Sequence, residues 1–209
     1  MRILGLDEAG RGSVLGPLVV GGFLVEGHDD DAAQATLRTA GADDSKKLSE
    51  KRRDAARASL ATLGVGRTIS VSAVEIDAGT LNVLEEHAFL ALVAELRPDR
   101  VYLDAPVHPR GIPNLRARLI AHSGVSDWII EPKADATWAV VGAASIFAKT
   151  TRDAALDTLG PEVGSGYPSD PVTRAWLLAR LREAGPLPAC VRTRWETLDN
   201  LRQTSLFKA

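Results

Sequence analysis

The stretch Arg2-Ile3-Leu4-Gly5-Leu6-Asp7-Glu8-Ala9-Gly10-Arg11-Gly12-Ser13-Val14-Leu15-Gly16-Pro17-Leu18-Val19-Val20-Gly21-Gly22-Phe23-Leu24-Val25 decides the fold. Residues 2–7 are an apolar run ending in an acid, the pattern of a short buried strand, and residues 17–25 read as a second strand. Gly10, Gly12 and Gly16 lie between them as a glycine-rich turn. A strand, a turn and a strand predict a hairpin-like opening. The turn is no dinucleotide loop, because Gly-x-Gly-x-x-x-Gly has the wrong spacing and leads into Pro17 and a strand rather than a helix. No Gly-x-x-x-x-Gly-Lys-Ser/Thr segment occurs, so a P-loop is absent.

Outward from the hairpin, Ser49 is placed to cap a charged helix running to about Leu63, and residues 67–74 are a β-branched strand. A long amphipathic helix is expected from about Thr80 to Leu96, stopped by Pro98, with the strand Arg100 to Asp104 after it. A helix around 114–122, a strand at 128–131 and an Ala-rich helix from near Ala136 repeat the alternation. Helices are also expected from about Pro171 and over about 193–202, with a loose tail from Thr204. Antiparallel strands followed by βαβ units predict an α/β fold, a mixed sheet flanked by helices. The 209 residues are read as a single domain.

Composition is that of an ordinary globular protein, 45% hydrophobic and 25% charged. Cys190, the single cysteine, excludes an internal disulfide and a multi-cysteine zinc site. The start reaches Asp7 and Glu8 too soon for a signal peptide, and the nearly apolar run 14–25 is broken by Pro17 and too short to span a bilayer. A soluble cytoplasmic protein without membrane contact is expected. The net charge of −2 argues against a nucleic-acid binder. The cations are unevenly spread, however: Lys46, Lys47, Lys51, Arg52, Arg53 and Arg57 form one cluster, and Arg174, Arg180, Arg182, Arg192 and Arg194 another. Either cluster is a phosphate track or a solvated helix face.

Asp7 and Asp104 close predicted strands, and Asp135 follows a third after a three-residue link. Ligands of open α/β sheets bind outside the carboxyl ends of parallel strands, so these acids are placed to converge. Glu8 joins them only if the first strand has ended there, since neighbouring strand residues face opposite ways. Crowded carboxylates call for a cation, and hard oxygen donors suit magnesium or manganese, two of which serve phosphodiester hydrolysis. Alone, each such aspartate is more often a turn or capping residue. A strand, an Asp and a glycine turn also suit the phosphate hairpin of actin-like ATPases and sugar kinases. That reading requires a second hairpin and a longer chain. A third possibility is a non-catalytic, clamp-associated nucleic-acid-binding module.

Five ordered segments resemble the ribonuclease HII family: Gly5-Leu6-Asp7-Glu8-Ala9-Gly10-Arg11-Gly12, Asp44-Ser45-Lys46-Lys47-Leu48, Tyr102-Leu103-Asp104, Lys133-Ala134-Asp135 leading into 143–149, and Gly164-Ser165-Gly166-Tyr167-Pro168-Ser169-Asp170-Pro171. The resemblance implies a ribonuclease H-like mixed sheet with a helical C-terminal extension over about 165–209. It implies catalytic, metal-binding acids Asp7, Glu8, Asp104 and Asp135, with Mg2+ or Mn2+, two ions per site. It implies hydrolysis of the RNA strand of RNA/DNA hybrids and cleavage at ribonucleotides embedded in duplex DNA, leaving 3′-hydroxyl and 5′-phosphate ends. Gly10, Arg11 and Gly12 would approach the ribose 2′-hydroxyl, the group that tells RNA from DNA, and Tyr167 would pack on the sugar. Lys46 and Lys149 resemble the family's phosphate or active-site lysines, and a monomer is expected. Ala9, the spelling Asp-Ser-Lys-Lys-Leu and Arg194-Trp195-Glu196-Thr197 are closer to archaeal members, from which Trp138-Ala139 departs. Gln203-Thr204-Ser205-Leu206-Phe207 resembles peptides that dock on sliding clamps; the alternative is that Leu206 and Phe207 pack a helix end.

Overall fold

A computed structural model describes residues 1–206 other than Asp44 and Ala184; the side chains of Lys46, Thr204, Ser205 and Leu206, and all of 207–209, lie outside the described residues. The described elements are β1 (Arg2–Ala9), β2 (Leu18–Glu26), α1 (Asp30–Thr39), α2 (Glu50–Leu60), β3 (Val65–Val71), α3 (Ala73–Ala78), α4 (Leu81–Leu96), β4 (Arg100–Asp104), α5 (Ile112–Ser123), β5 (Asp127–Glu131), α6 (Ala134–Thr137), α7 (Ala139–Asp157), α8 (Pro171–Arg182) and α9 (Glu196–Leu206). The strands form one mixed sheet in the order β3-β2-β1-β4-β5. β1 pairs antiparallel with β2 and parallel with β4, and β4 pairs parallel with β5. The expected mixed sheet with flanking helices is therefore what the chain forms.

The chain divides into two compact units. The first is Met1–Ala9, Val19–Ile69 and Glu85–Thr151, and the second is Gly10–Leu18, Ser70–Leu84 and Arg152–Ala209. The second unit therefore takes in the glycine turn as well as the C-terminal helices.

In the first unit the strand pleat sends alternate residues to two cores. Ile3, Phe23 and Tyr102 pack with Leu37 of α1, Leu60 of α2 and Val140, Val141, Ala144 and Phe147 of α7. Leu4, Leu6, Leu103 and Trp128 pack instead with Phe89, Leu92 and Val93 of α4 and Leu115 and Leu119 of α5. α7 lies directly on the strand backbone, because a Cβ at Gly5 would sit 2.1 Å from Val140 O and one at Gly21 2.3 Å from Ala144 O. These glycines hold the helix close to the sheet.

Several boundaries depart from the sequence expectations. α1 forms where none was expected, its Ala33 and Leu37 buried. The strand expected at 67–74 ends at Val71, because Ser72 and Glu75 make a capping box that starts α3. β1 continues through Glu8 to Ala9, with Glu8 opposite Val20 and Ala9 opposite Val19, rather than ending at Asp7. The tail expected to be loose from Thr204 is helical through Leu206. Among the described residues no helix is long and apolar enough to cross a membrane.

The second unit has its own core of Val14, Leu15, Leu156, Val163, Leu177, Val191, Leu198 and Leu201. A smaller cluster of Leu18, Val71 and Ile76 has Leu81, Leu84 and Trp195 against it.

Candidate active site

Leu6 pairs with Leu103 in the parallel register, so Asp7 and Asp104 lie one residue further along two adjacent strands. Asp135 arrives from the next strand. After β5 the chain turns at Lys133, whose φ of 61° is left-handed, and Asp135 follows in the first turn of α6. One carboxylate oxygen from each of Asp7, Asp104 and Asp135 lies within 4.8 Å of the others.

Asp7 and Asp135 are buried. Asp7 accepts the Glu8 N–H at 2.7 Å and a hydrogen bond from the Ser145 hydroxyl. Asp104 accepts the Ala134 N–H at 2.9 Å. Burial raises the Asp7 carboxyl from the ordinary 3.8 to about 7, with repulsion from Asp104 and Asp135 adding to it and the two hydrogen bonds working against it. A buried carboxylate beside two others is poorly accommodated as an anion unless a cation shares the space. Three hard oxygen donors so placed could hold a divalent metal ion.

Glu8 is not in this group. Glu8 follows Asp7 in β1, which runs on to Ala9 rather than ending at Glu8. Lys149 is half-buried on α7. Lys46 lies in the 3-10 turn Ser45–Lys47 with its side chain outside the described residues, as is Asp44.

Two residues that sequence reasoning did not single out support the acids. Ser145 and Ser45, both buried, share a hydrogen bond of 2.8 Å, and Ser145 bonds Asp7 in turn. A serine within the apolar stretch Ala143-Ala144-Ser145-Ile146-Phe147 is the signal that marks it.

In the second unit the glycine turn and the Tyr167 loop come together. Val14 and Leu15 N–H groups donate to Gly166 O at 2.8 and 3.2 Å. Gly10 has φ +80° and no room for a Cβ, which would meet Pro17 O at 2.6 Å. Gly12 differs: it has no positive φ, and among the described residues nothing lies within 4 Å of its would-be Cβ. Folding does not demand glycine there, whereas close approach of a ligand to the backbone would. Arg192 is fully buried and donates to Arg11 O and Gly16 O, both at 3.0 Å. Burial, with the Arg152 charge, lowers its pKa to about 10. Tyr167 carries the Arg152 guanidinium 4.7 Å from its ring centroid.

The basic clusters divide by role. Arg57 donates to Thr150 Oγ1 at 2.6 Å and Arg53 to Leu48 O at 2.7 Å, while Lys51 and Arg52 are exposed. Arg194 donates to Asp77 O at 3.0 Å, and Arg180 pairs with Glu183 at 2.9 Å. Arg53, Arg57, Arg192 and Arg194 thus brace the fold through hydrogen bonds to other segments.

Comparison with known proteins agrees with this geometry. A family model described as Ribonuclease HII matches residues 4–198. The Ribonuclease HII of Methanocorpusculum labreanum is 40% identical over 217 residues, covering 99% of this chain and 98% of the relative. The solved ribonuclease H2 of Pyrococcus horikoshii OT3 is 36% identical with a TM-score of 0.85, covering 98% of each chain. The Archaeoglobus fulgidus ribonuclease HII, solved as a PCNA:RNase HII complex, is 35% identical with a TM-score of 0.82, covering 94% of this chain and 96% of that one. The phosphotransferase and the non-catalytic binding module find no support in these relatives.

Proposed function

The chain belongs to the ribonuclease HII family, a metal-dependent endoribonuclease of RNA/DNA hybrids, and from that premise we propose how its residues divide the work. Asp7, Asp104 and Asp135 hold the catalytic metal, a reading carried by their convergence to within 4.8 Å. Glu8 enters the set on the family signature, as a ligand reached from beside Asp7. The donor set suits two ions of Mg2+ or Mn2+. Such ions supply Lewis-acid chemistry, easing deprotonation of water and neutralising charge on the phosphate.

The protein's own part is to hold the acids ready. The Glu8 N–H and the Ser145 hydroxyl fix Asp7, and the Ala134 N–H fixes Asp104, so neither carboxylate has to reorganise during reaction. The scissile bond runs from phosphorus to the 3′ oxygen of the nucleotide that becomes the 3′ end. Water adds to phosphorus and that bond breaks, leaving a 3′-hydroxyl and a 5′-phosphate. Gly10, Arg11, Gly12 and Tyr167 sense the ribose, which extends the substrates to single ribonucleotides within duplex DNA, and Lys46 and Lys149 meet phosphates.

A duplex carrying one ribonucleotide, incubated with Mg2+ and with Mn2+, tests the assignment. Asp7→Asn, Asp104→Asn or Asp135→Asn should reduce cutting by at least a thousandfold, and Glu8→Gln should do likewise if its place is right. Unchanged rates refute the residue concerned.

We also propose that Gln203-Thr204-Ser205-Leu206-Phe207 docks on a sliding clamp, as a solved relative is a complex with PCNA. Gln203 is exposed on α9, whereas Phe207 and the side chains of 204–206 lie outside the described residues. Titration of a PCNA-type clamp with the full chain and with a chain ending at Arg202 tests this; equal binding ends it. The enzyme is read as a cytoplasmic monomer.

A further inference from the structure

We propose that Arg152 is a positioning residue that sets the Tyr167 ring and the glycine turn in register for the sugar of the substrate. The inference rests on the reading above that Tyr167 and residues 10–12 touch substrate. Arg152 is the first residue of the α7 segment that belongs to the second unit, and it is 1% exposed. Its Nη2 donates to Ser13 Oγ at 3.0 Å and to Ser165 O at 2.5 Å, and its Cζ lies 4.7 Å from the Tyr167 centroid. Ser13 Oγ passes the contact on, 2.9 Å from Gly166 O. One guanidinium therefore touches the turn three residues after Gly10, the loop two residues before Tyr167, and the ring itself.

A brace for packing alone would not need this side chain. Burying a cation is costly unless it is well paired, and Arg152 is only loosely paired, at 3.5 Å from Asp153. Its Nε is buried with no hydrogen-bond partner among the described residues. What a guanidinium adds over an apolar residue is a planar fork that donates toward both loops and a flat cation against an aromatic face. Both features orient the ring before substrate arrives.

The chain has two tyrosines, so ring-labelled 13C-tyrosine gives a signal for Tyr167 with Tyr102, in the first unit, as an internal control. In Arg152→Gln the Tyr167 ring resonances should shift while those of Tyr102 stay, and cleavage beside a single ribonucleotide should fall about tenfold to thirtyfold. In a Tyr167→Ala background Arg152→Gln should cost less than about threefold more. Arg152→Lys, which keeps the charge and loses the fork, should recover part of the rate, and it replaces the glutamine variant if that one does not fold. Unmoved Tyr167 resonances in a folded variant, or full additivity with Tyr167→Ala, overturn the proposal. If Tyr167→Ala alone leaves cleavage unchanged, the substrate reading of Tyr167 has failed, and the resonances still decide whether Arg152 positions the ring.

Discussion

Asp7→Asn should make the metal-free protein more stable while abolishing its activity. The Asp7 carboxyl is raised from 3.8 to about 7, chiefly by burial. At about 1.4 kcal/mol per pH unit this amounts to at most about 4 kcal/mol against the ionised form in the folded state. The sign follows from proton uptake. Between pH 3.8 and about 7 the folded chain binds more protons at this site than the unfolded chain, so stability falls as pH rises through that window and stays low above it. Asparagine carries no such penalty. In urea unfolding at pH 8 with a chelator, Asp7→Asn should exceed the parent by about 1 to 4 kcal/mol, and the gap should shrink to about 1 kcal/mol at pH 4.5. Divalent metal narrows the gap, because binding at a hundred times Kd adds about 3 kcal/mol to the parent and much less to the variant. A variant less stable than its parent at pH 8 without metal, or equal stabilisation of both by Mn2+, would refute the reasoning.

Gly10→Ala and Gly12→Ala should separate folding from recognition. The first forces a left-handed φ and a clash with Pro17 O, costing about 2 kcal/mol or more in urea unfolding. The second should leave stability within about 0.5 kcal/mol and weaken cleavage of the ribonucleotide-containing duplex instead. Gly5→Ala should push α7 off the sheet and destabilise by about 3 kcal/mol or more, read from the same unfolding curves, since the new methyl meets backbone at Val140. Asp170, held down to about 2 first by the Ser165 N–H and also by that of Val172, contributes stability present above the ordinary carboxylate range and lost as pH falls through about 2. Asp170→Ala should therefore lower the thermal midpoint at pH 7, with the difference from the parent narrowing toward pH 2.

The strand Arg100–Asp104 was legible because a short apolar run bounded by polar residues specifies a buried strand without help from the rest of the chain. Asp7, Asp104 and Asp135 were legible for the same reason, as acids at or just beyond the ends of such runs. Residues 30–39 escaped because their apolar positions are few, and α1 is stabilised by what Ala33 and Leu37 meet in the core. What only tertiary structure decided is where a chain far apart in sequence comes together. Pairing with Val19 and Val20 carried β1 past Glu8 to Ala9, an outcome no local pattern sets. The left-handed Lys133 aimed Asp135, and α7 lying on Gly5 and Gly21 brought Ser145 to Asp7. The burial of Arg152 and Arg192 has no local sequence signal, because burial belongs to the assembled loops and not to the residues. The sequence by itself determined which side chains carry the chemistry, since residue type sets donor and charge; only the folded chain decided which of them meet, since that depends on contacts between segments.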